Sequence, residues 1–419
     1  LLPISLCFWL YRTFGEFTHP GVYFTYDNGL FFLSDGLALL AVALWLSVKL
    51  TQPSFVPQLF SKRTKSFYFL FFAILLLIST STFWSRDWRT SLYISLHLWL
   101  IFLLILSLSD WYETWTVTMY GFCAAMTIQL ITGFVGYAQQ STLFLESLDM
   151  KWPGVLDPSI RGASVVQLTN GLRVLRAYGT LPHPNILGGS IFISLLGATS
   201  LFLTNKKPNY SALILLCLGI ILIGLTFSRS AWLALTVFVI LPSLKLKYFD
   251  RKKIFLLLSV IALSFVLTFF SLRNLVFTRI SNPSTSTEVI STVGRSWLTQ
   301  QAMDVIRQQP LTGVGIGSFI IQLSNTAVEG APIEPVHNVF LLITAEIGIV
   351  GLILIIGLFI SITIKICKAH SPQAILASAT LTGLGVISLF DHYLWTLAPG
   401  RMILGLALGL WAGQVAHDA

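Results

Sequence analysis

Most of this chain is laid out as apolar stretches of bilayer-crossing length, and that limits the fold before any motif is read. A helix needs about 20 mostly apolar residues to cross a membrane. Such stretches lie near residues 1–11 (partial), 30–50, 67–83, 91–108, 115–137, 185–204, 210–227, 230–244, 254–271, 338–364, 374–391 and 401–416. Lipid offers no partner to a bare N–H or C=O, so segments of this kind cross as helices. Of the 419 residues, 55% are hydrophobic and only 10% charged, where a soluble domain carries about 25% charged residues. The expectation is an all-α polytopic membrane protein. It has about 12 transmembrane helices in a single transmembrane domain over 1–419, with a partly helical extracytoplasmic loop region. Residues 1–10 read as the tail of a truncated span and, showing no charged n-region followed by a small-residue cleavage site, not as a cleaved signal peptide.

The basic residues then orient the bundle. Lys49, Lys62, Lys65, Lys206, Lys207, Lys245, Lys247, Lys252, Lys253, Lys365 and Lys368 fall in one alternating set of loops. Arg12, Arg86, Arg89, Arg161, Arg173, Arg176, Arg229, Arg273, Arg279, Arg295, Arg307 and Arg401 fall in the other; Lys151, Arg63 and Arg251 break the pattern. Lysine-rich short loops mark the cytoplasmic side, which also puts the C-terminus there. The other side should be poor in positive charge, yet it holds nearly all the arginine. Arginine's planar fork of N–H donors suits phosphate, so the sequence points to a phosphate-handling site on the outer face. The net charge of +9 is spread over short loops rather than gathered on a polar surface, which argues against nucleic acid. Cys7, Cys123, Cys217 and Cys367 lie in or beside apolar stretches and read as packing residues, with no disulfide framework or CxxC site.

Two loops are long, 138–184 and 272–337, and both fall on the arginine side. In the second, Gly294–Gln309 has helical periodicity and Pro310 ends it. Arg295, Leu298, Ala302 and Ile306 share one face, so Arg295 lies on the apolar side of an amphipathic helix at the interface. The glycines that follow, Gly313, Gly315 and Gly317, lack the βαβ context of a nucleotide loop and read as a flexible re-entrant turn.

Several residues could carry chemistry. Arg229, in Phe227-Ser228-Arg229-Ser230, stands where two spans meet with almost no loop, as a cation at the floor of an outward cavity or as a snorkelling helix-end arginine. His337 precedes a long apolar helix, whose N-terminus disfavours imidazolium and keeps the ring ready to accept a proton. Its neighbour Asn338 reads as a capping or substrate-binding residue. Pro182 and Pro184 stiffen His183, and Arg173 and Arg176 would lie on one side if their segment were helical. Asp391, His392 and Arg401 flank the last outer turn and read as structural or cavity-lining. His97 reads as a packing histidine, and Glu346, inside a span, as half of a structural ion pair. No set of His, Cys, Asp and Glu has metal-ligand spacing, so neither metal nor other cofactor is expected.

The ordered set Arg176-Ala-Tyr-Gly-Thr-Leu-Pro-His-Pro-Asn185, Ser228-Arg229-Ser230, Gly294-Arg295-Ser296-Trp297, Pro310–Gly317, His337-Asn338 and Glu346–Leu352 resembles the O-antigen ligase and O-antigen polymerase superfamily. The resemblance implies a glycosyltransferase in the cytoplasmic membrane, acting on its extracytoplasmic face in the assembly of envelope glycans such as lipopolysaccharide. It would move a glycan from an undecaprenyl-diphosphate carrier to a hydroxyl of a glycolipid, glycan or protein acceptor, with inversion and without metal. The resemblance also implies Arg229 and Arg295 as diphosphate-binding residues and His337 as catalytic. Arg176, His183, Asn338 and Arg401 are possible substrate contacts. A polysaccharide polymerase and a protein O-oligosaccharyltransferase stay open as alternatives. So do a flippase or transporter, an envelope scaffold, and a peptidoglycan polymerase that would use Glu329, Glu334 or Asp391 as its outer carboxylate.

The lysine pattern has a direct test. Single cysteines at Ser61 and Ser284, in a background without native cysteine, should react with an impermeant maleimide from opposite sides of the membrane. Labelling of both in intact cells would overturn the topology.

Overall fold

The computed structural model describes residues 1–17, 19–51, 63–142, 154–168, 170–281, 286–326 and 331–418. Ser61, Lys62, Lys151, Ser284 and Glu329, and 143–153 of the first long loop, lie outside the described residues. In chain order the elements are α1 (Leu2–Ser5), β1 (Tyr11–Gly15), α2 (Phe24–Asp27), β2 (Gly29–Phe32), α3 (Leu33–Thr51), α4 (Lys65–Ser81), α5 (Trp88–Asp110) and α6 (Trp115–Gln139). Then come β3 (Val165–Gln167), β4 (Arg173–Leu175), α7 (Pro184–Thr204), α8 (Tyr210–Leu225), α9 (Arg229–Leu244), α10 (Arg251–Ser271) and α11 (Arg273–Ser281). The last are α12 (Ser286–Gln308), α13 (Phe319–Thr326), α14 (Val339–Cys367), α15 (Pro372–Phe390), α16 (Tyr393–Thr396) and α17 (Ala398–Ala416).

Each expected stretch from 30–50 to 401–416 is occupied by a helix. Among the described residues, seven helices are long and apolar enough to cross a membrane, and α4, α8 and α9 are shorter apolar helices. The chain is a helical, multi-pass membrane protein. Residues 1–11 differ from expectation: helix covers only Leu2–Ser5, and Tyr11 already opens a strand. Polar side chains fix where many helices begin. Asp87 caps α5 through Arg89 N, Asn209 caps α8 through Ala212 N, and Asp250 caps α10 through Lys252 N and Lys253 N, each supplying an acceptor to an orphan N–H.

By packing, the chain forms two compact units: Leu1–Leu10, Glu113–Val293 and Ser371–Ile387 make the first, and Tyr11–Tyr112, Gly294–His370 and Ser388–Ala419 the second. In the first unit α7 is the central helix, buried from Ile186 through Leu203 and packed against α6, α8 and α9. Its small residues permit this closeness; a Cβ on Gly197 would lie 2.6 Å from Met119 O, the kind of backbone approach that small residues allow between membrane helices. Helix α10 is the opposite case, with Phe255, Leu263 and Phe270 exposed as lipid-facing side chains are. A hairpin of β3 and β4 turns through Asn170-Gly171.

In the second unit α5 packs on α17 and α3, and α14 on α4. Helix α14 is broken at Ile347 and Gly348, where Gly348 takes φ 70° and ψ −175°. A break strands backbone groups that lipid cannot satisfy. The Pro310–Gly317 loop fills it: Val314 N donates to Ala345 O (3.0 Å), Gly315 N to Glu346 O (2.8 Å), and Ile349 N to Pro310 O (2.8 Å). Gly313, Gly315 and Gly317 all have positive φ, and Gly313–Ile316 are buried. The run expected to be a flexible turn is thus a packed plug, because its glycines let the backbone approach another backbone directly.

A Cβ on Gly348 would lie 2.0 Å from Leu311 O, whereas one on Gly357 in the same helix would come no closer than 3.7 Å to Leu70. Gly348→Ala should lower stability by roughly 3 kcal/mol, combining left-handed strain with overpacking. Gly357→Ala should leave the melting temperature of purified protein unchanged. Equal melting curves for the two variants would show that the plug does not brace α14.

Candidate functional site

In the second unit, the amphipathic helix α12 presents the face expected of it. Leu298, Ala302 and Val305 are buried against Val314, Phe319, Val336, Leu342 and Ala345, and Arg307 is exposed and paired with Asp304 at 2.9 Å. That seats half-buried Arg295 where its charge acts on Glu334, His337 and His392.

His337 immediately precedes Asn338, which caps α14: Asn338 Oδ1 accepts from Leu341 N at 2.9 Å, and Nδ2 donates to Leu389 O at 3.2 Å. His337 Nδ1 is buried and has no hydrogen-bond partner among the described residues. Buried ring nitrogens are normally satisfied, and leaving one bare costs about 1–3 kcal/mol. The His337 ring meets that of His392 edge-on at 5.1 Å, and His392 meets Tyr26 at 5.9 Å. His392 is itself fixed, its N–H donating to Asp391 Oδ1 (2.8 Å) and its Nδ1 bonded to Thr396 Oγ1 (2.8 Å).

Burial lowers the His337 pKa below its ordinary 6.5; Arg295 pushes the same way and Asp391 opposes. Burial also takes His392 down to about 3, with His337 and Arg295 adding and Asp391 opposing. Burial raises the Glu334 carboxyl; Asp391 adds to the rise and Arg295 counters it. Both imidazoles are therefore neutral at pH 7, and His337 offers a proton-accepting nitrogen close to a guanidinium.

Arg401, Glu346 and His97 support this region from within the bundle. Arg401 is buried; its Nη1 donates to Trp395 O and Thr396 O (3.0 and 2.9 Å) and its Nε to His97 Nδ1 (3.1 Å). His97 Nε2 in turn meets Asp35 at 3.1 Å, which makes it the bonded interior histidine anticipated. Glu346 was expected to form an ion pair. Its carboxylate accepts hydrogen bonds from Trp395 Nε1 (3.0 Å) and from the N–H groups of Gly317 and Phe319, while the charge of Arg401 acts on it without a direct ion pair among the described residues. Phe319 begins α13, and the free N–H groups of a helix start satisfy a carboxylate as a cation would.

In the first unit, Arg229 is exposed and opens α9, flanked by buried Ser228 and Ser230. Ser228 is the N-cap, but its hydroxyl meets Ser230 Oγ (3.1 Å) rather than capping the helix. The residue before it, Phe227, is fully buried with φ 48°, a left-handed conformation uncommon for an aromatic residue. Arg176 reaches this turn: Nε donates to Thr226 O (2.6 Å), Nη1 to Ser164 Oγ (2.7 Å) and Nη2 to Asn185 Oδ1 (2.6 Å). His183 caps α7, its Nδ1 accepting from Asn185 N at 3.1 Å. The condition under which Arg173 and Arg176 would share one side, a helical segment, is not met, because Arg173–Leu175 is a strand. Arg173 turns instead to Ser159 O and Ile160 O (3.4 and 3.3 Å). Asn170-Gly171, a strong hairpin signal, was the clue that the sequence carried. Nothing local marks Tyr26 as a neighbour of His392, since the contact is made only in the folded unit.

The family model for O-antigen ligase matches residues 212–356, and the resemblance to that superfamily holds over this stretch. It includes Arg229, Arg295, His337, Asn338 and the plug; Arg176, His183 and Arg401 lie outside it. No curated protein matches the chain.

Diethylpyrocarbonate attacks only neutral imidazole, so the pH profile of its reaction reads the histidine directly. Modification of His337, followed by peptide mass mapping, should reach half its limiting rate below pH 6.5. Arg295→Gln should move that midpoint up and Asp391→Asn should move it down. A midpoint above 6.5 in the parent protein would contradict the electrostatics described.

Proposed function

Starting from the O-antigen ligase family of residues 212–356, we propose that this protein is a lipid-diphosphate-dependent glycosyltransferase of the cytoplasmic membrane. It transfers an oligosaccharide or polysaccharide from an undecaprenyl-diphosphate carrier to an acceptor hydroxyl on the outer face, with inversion and without a metal. The observation that carries the reading is the buried Nδ1 of His337, without a hydrogen-bond partner among the described residues, in a ring kept neutral beside Arg295. The lysine segregation supports the orientation, with the C-terminus in the cytoplasm.

The donor is already activated, so no nucleotide is required outside the cell. The acceptor oxygen attacks the anomeric carbon from the face opposite the diphosphate. The bond between that carbon and the phosphate oxygen breaks, and its electron pair passes to the leaving diphosphate. His337 takes the hydroxyl proton as general base. Arg229 and Arg295 hold the diphosphate and stabilise the charge that grows on it. Forked donors are required because a lysine ammonium lacks the bidentate geometry. Asn338 fixes the start of α14, and so the position of His337, through its cap.

Purified protein with an undecaprenyl-diphosphate oligosaccharide and a hydroxyl acceptor provides the test. His337→Ala should bind donor yet lose transfer by about 10²–10⁴-fold, the usual worth of general-base help. Arg295→Lys should be nearly as impaired as Arg295→Ala, and EDTA should have no effect. Parental turnover by His337→Ala, or activity abolished by EDTA and restored by a divalent metal, would overturn the mechanism.

A further inference from the structure

We propose that Arg176 is a positioning residue: it fixes the turn that carries Arg229 and does not itself bind the donor. The inference rests on the reading that Arg229 holds the diphosphate. Three of its nitrogens, Nε, Nη1 and Nη2, go to three separate places: the carbonyl of Thr226 in the turn, Ser164 beside the β3–β4 hairpin, and Asn185 in the first turn of α7. The side chain is 5% exposed, so its donors face protein rather than an open site. The backbone repeats the link, with Arg176 N donating to Ser164 O (3.1 Å) and Ala177 N to Leu225 O (3.0 Å).

The turn needs such a brace. Phe227 is held left-handed between α8 and α9, and a strained conformation persists only where its surroundings over-determine it. Val166 of β3, Val276 of α11 and Trp232 pack around Phe227. Thr226 Oγ1 bonds Ile223 O (2.6 Å) and accepts from Ser228 N (3.3 Å). Helix α7 closes the other side, where a Cβ on Gly188 would lie 3.0 Å from Ala231 Cβ and 3.3 Å from Ser228 Cβ. Arg176 ties hairpin, α7 and turn together at the residue that sets where α8 stops. Removing it frees Thr226 O and lets the Phe227–Ser230 backbone relax, which moves the guanidinium of Arg229 off its target.

A double-mutant cycle tests this, using undecaprenyl diphosphate as the titrant and protein in nanodiscs. Arg229→Ala should weaken binding at least tenfold, and Arg176→Ala should do so by a similar factor. The double variant should be no weaker than Arg229→Ala within about twofold, because acting through one residue makes the losses non-additive. Asn185→Asp keeps an acceptor for Arg176 and should bind like the parent, while Asn185→Leu should be weakened; this pair serves if Arg176→Ala does not fold. Amide hydrogen exchange at Phe227–Ser230, read without donor, should quicken in Arg176→Ala or Asn185→Leu. Additive losses, parental binding by Arg176→Ala, or unchanged exchange at the turn would each overturn the inference. Parental binding by Arg229→Ala with faster exchange at the turn would instead sink the diphosphate reading of Arg229 and leave the brace standing.

Discussion

The hydrogen bonds between the Pro310–Gly317 plug and the broken middle of α14 are the constraint on which the second unit depends. A continuous helix would satisfy its own backbone, and the plug would have nowhere to lodge. Because α14 breaks at Ile347 and Gly348, Ala345 O, Glu346 O and Ile349 N are satisfied by the loop. The Glu346 carboxylate then collects the first N–H groups around α13 and the indole of Trp395. From that joint the plug and α13 run into the apolar cluster that seats α12 and Arg295, while the first half of α14 runs back to Asn338 and His337. One backbone junction thus holds both the guanidinium and the imidazole of the candidate site.

The polar network behind His392 completes the arrangement by a different route. Arg401 clamps the two carbonyls at the end of α16, and His97 and Asp35 hold Arg401. The result is a short helix that cannot rotate its N-cap, His392, away from His337. Buried polar chains of this sort specify geometry when every member is satisfied, and each of these members has a partner. The cationic side chain of Arg401 thereby serves the site through the backbone of its neighbours.

How much of this was legible in the sequence follows from which interactions are local. Span positions were legible because apolar length is a one-dimensional property. The α12 face was legible because helical period places Leu298, Ala302 and Val305 together, and Pro310 marks the end. His337 at the start of α14 followed from its place before an apolar run. The break at Gly348 was not legible: the stretch 338–364 reads as one helix, and only a loop some 35 residues earlier in the chain stabilises the interruption. The partners of Glu346 were legible only in part: a charge in a span suggests a cation, and the charge of Arg401 does act on it, but the peptide N–H groups that bond it leave no mark in sequence. The β3–β4 hairpin has a local signature at Asn170-Gly171, but the spacing of Arg173 and Arg176 suits one face of a helix as well. The left-handed Phe227 carries no compositional trace, since the strain is imposed by packing around it.

Helices α8 and α9 have 16 residues each, so each is about 24 Å long at 1.5 Å per residue. The hydrocarbon of a typical bilayer is about 30 Å thick. The turn between them, which carries Arg229, stays level with the end of α10, since Thr268 meets Gly224 and Phe269 and Leu272 pack on Phe227; the shortfall against α10, with its 21 residues, falls at the opposite ends of the two helices. Several ångströms of mismatch have to be made up there by a dimple in the leaflet, by headgroups drawn inward, or by both. The shortness of two helices thus thins the membrane locally, on the face away from the turn that carries Arg229.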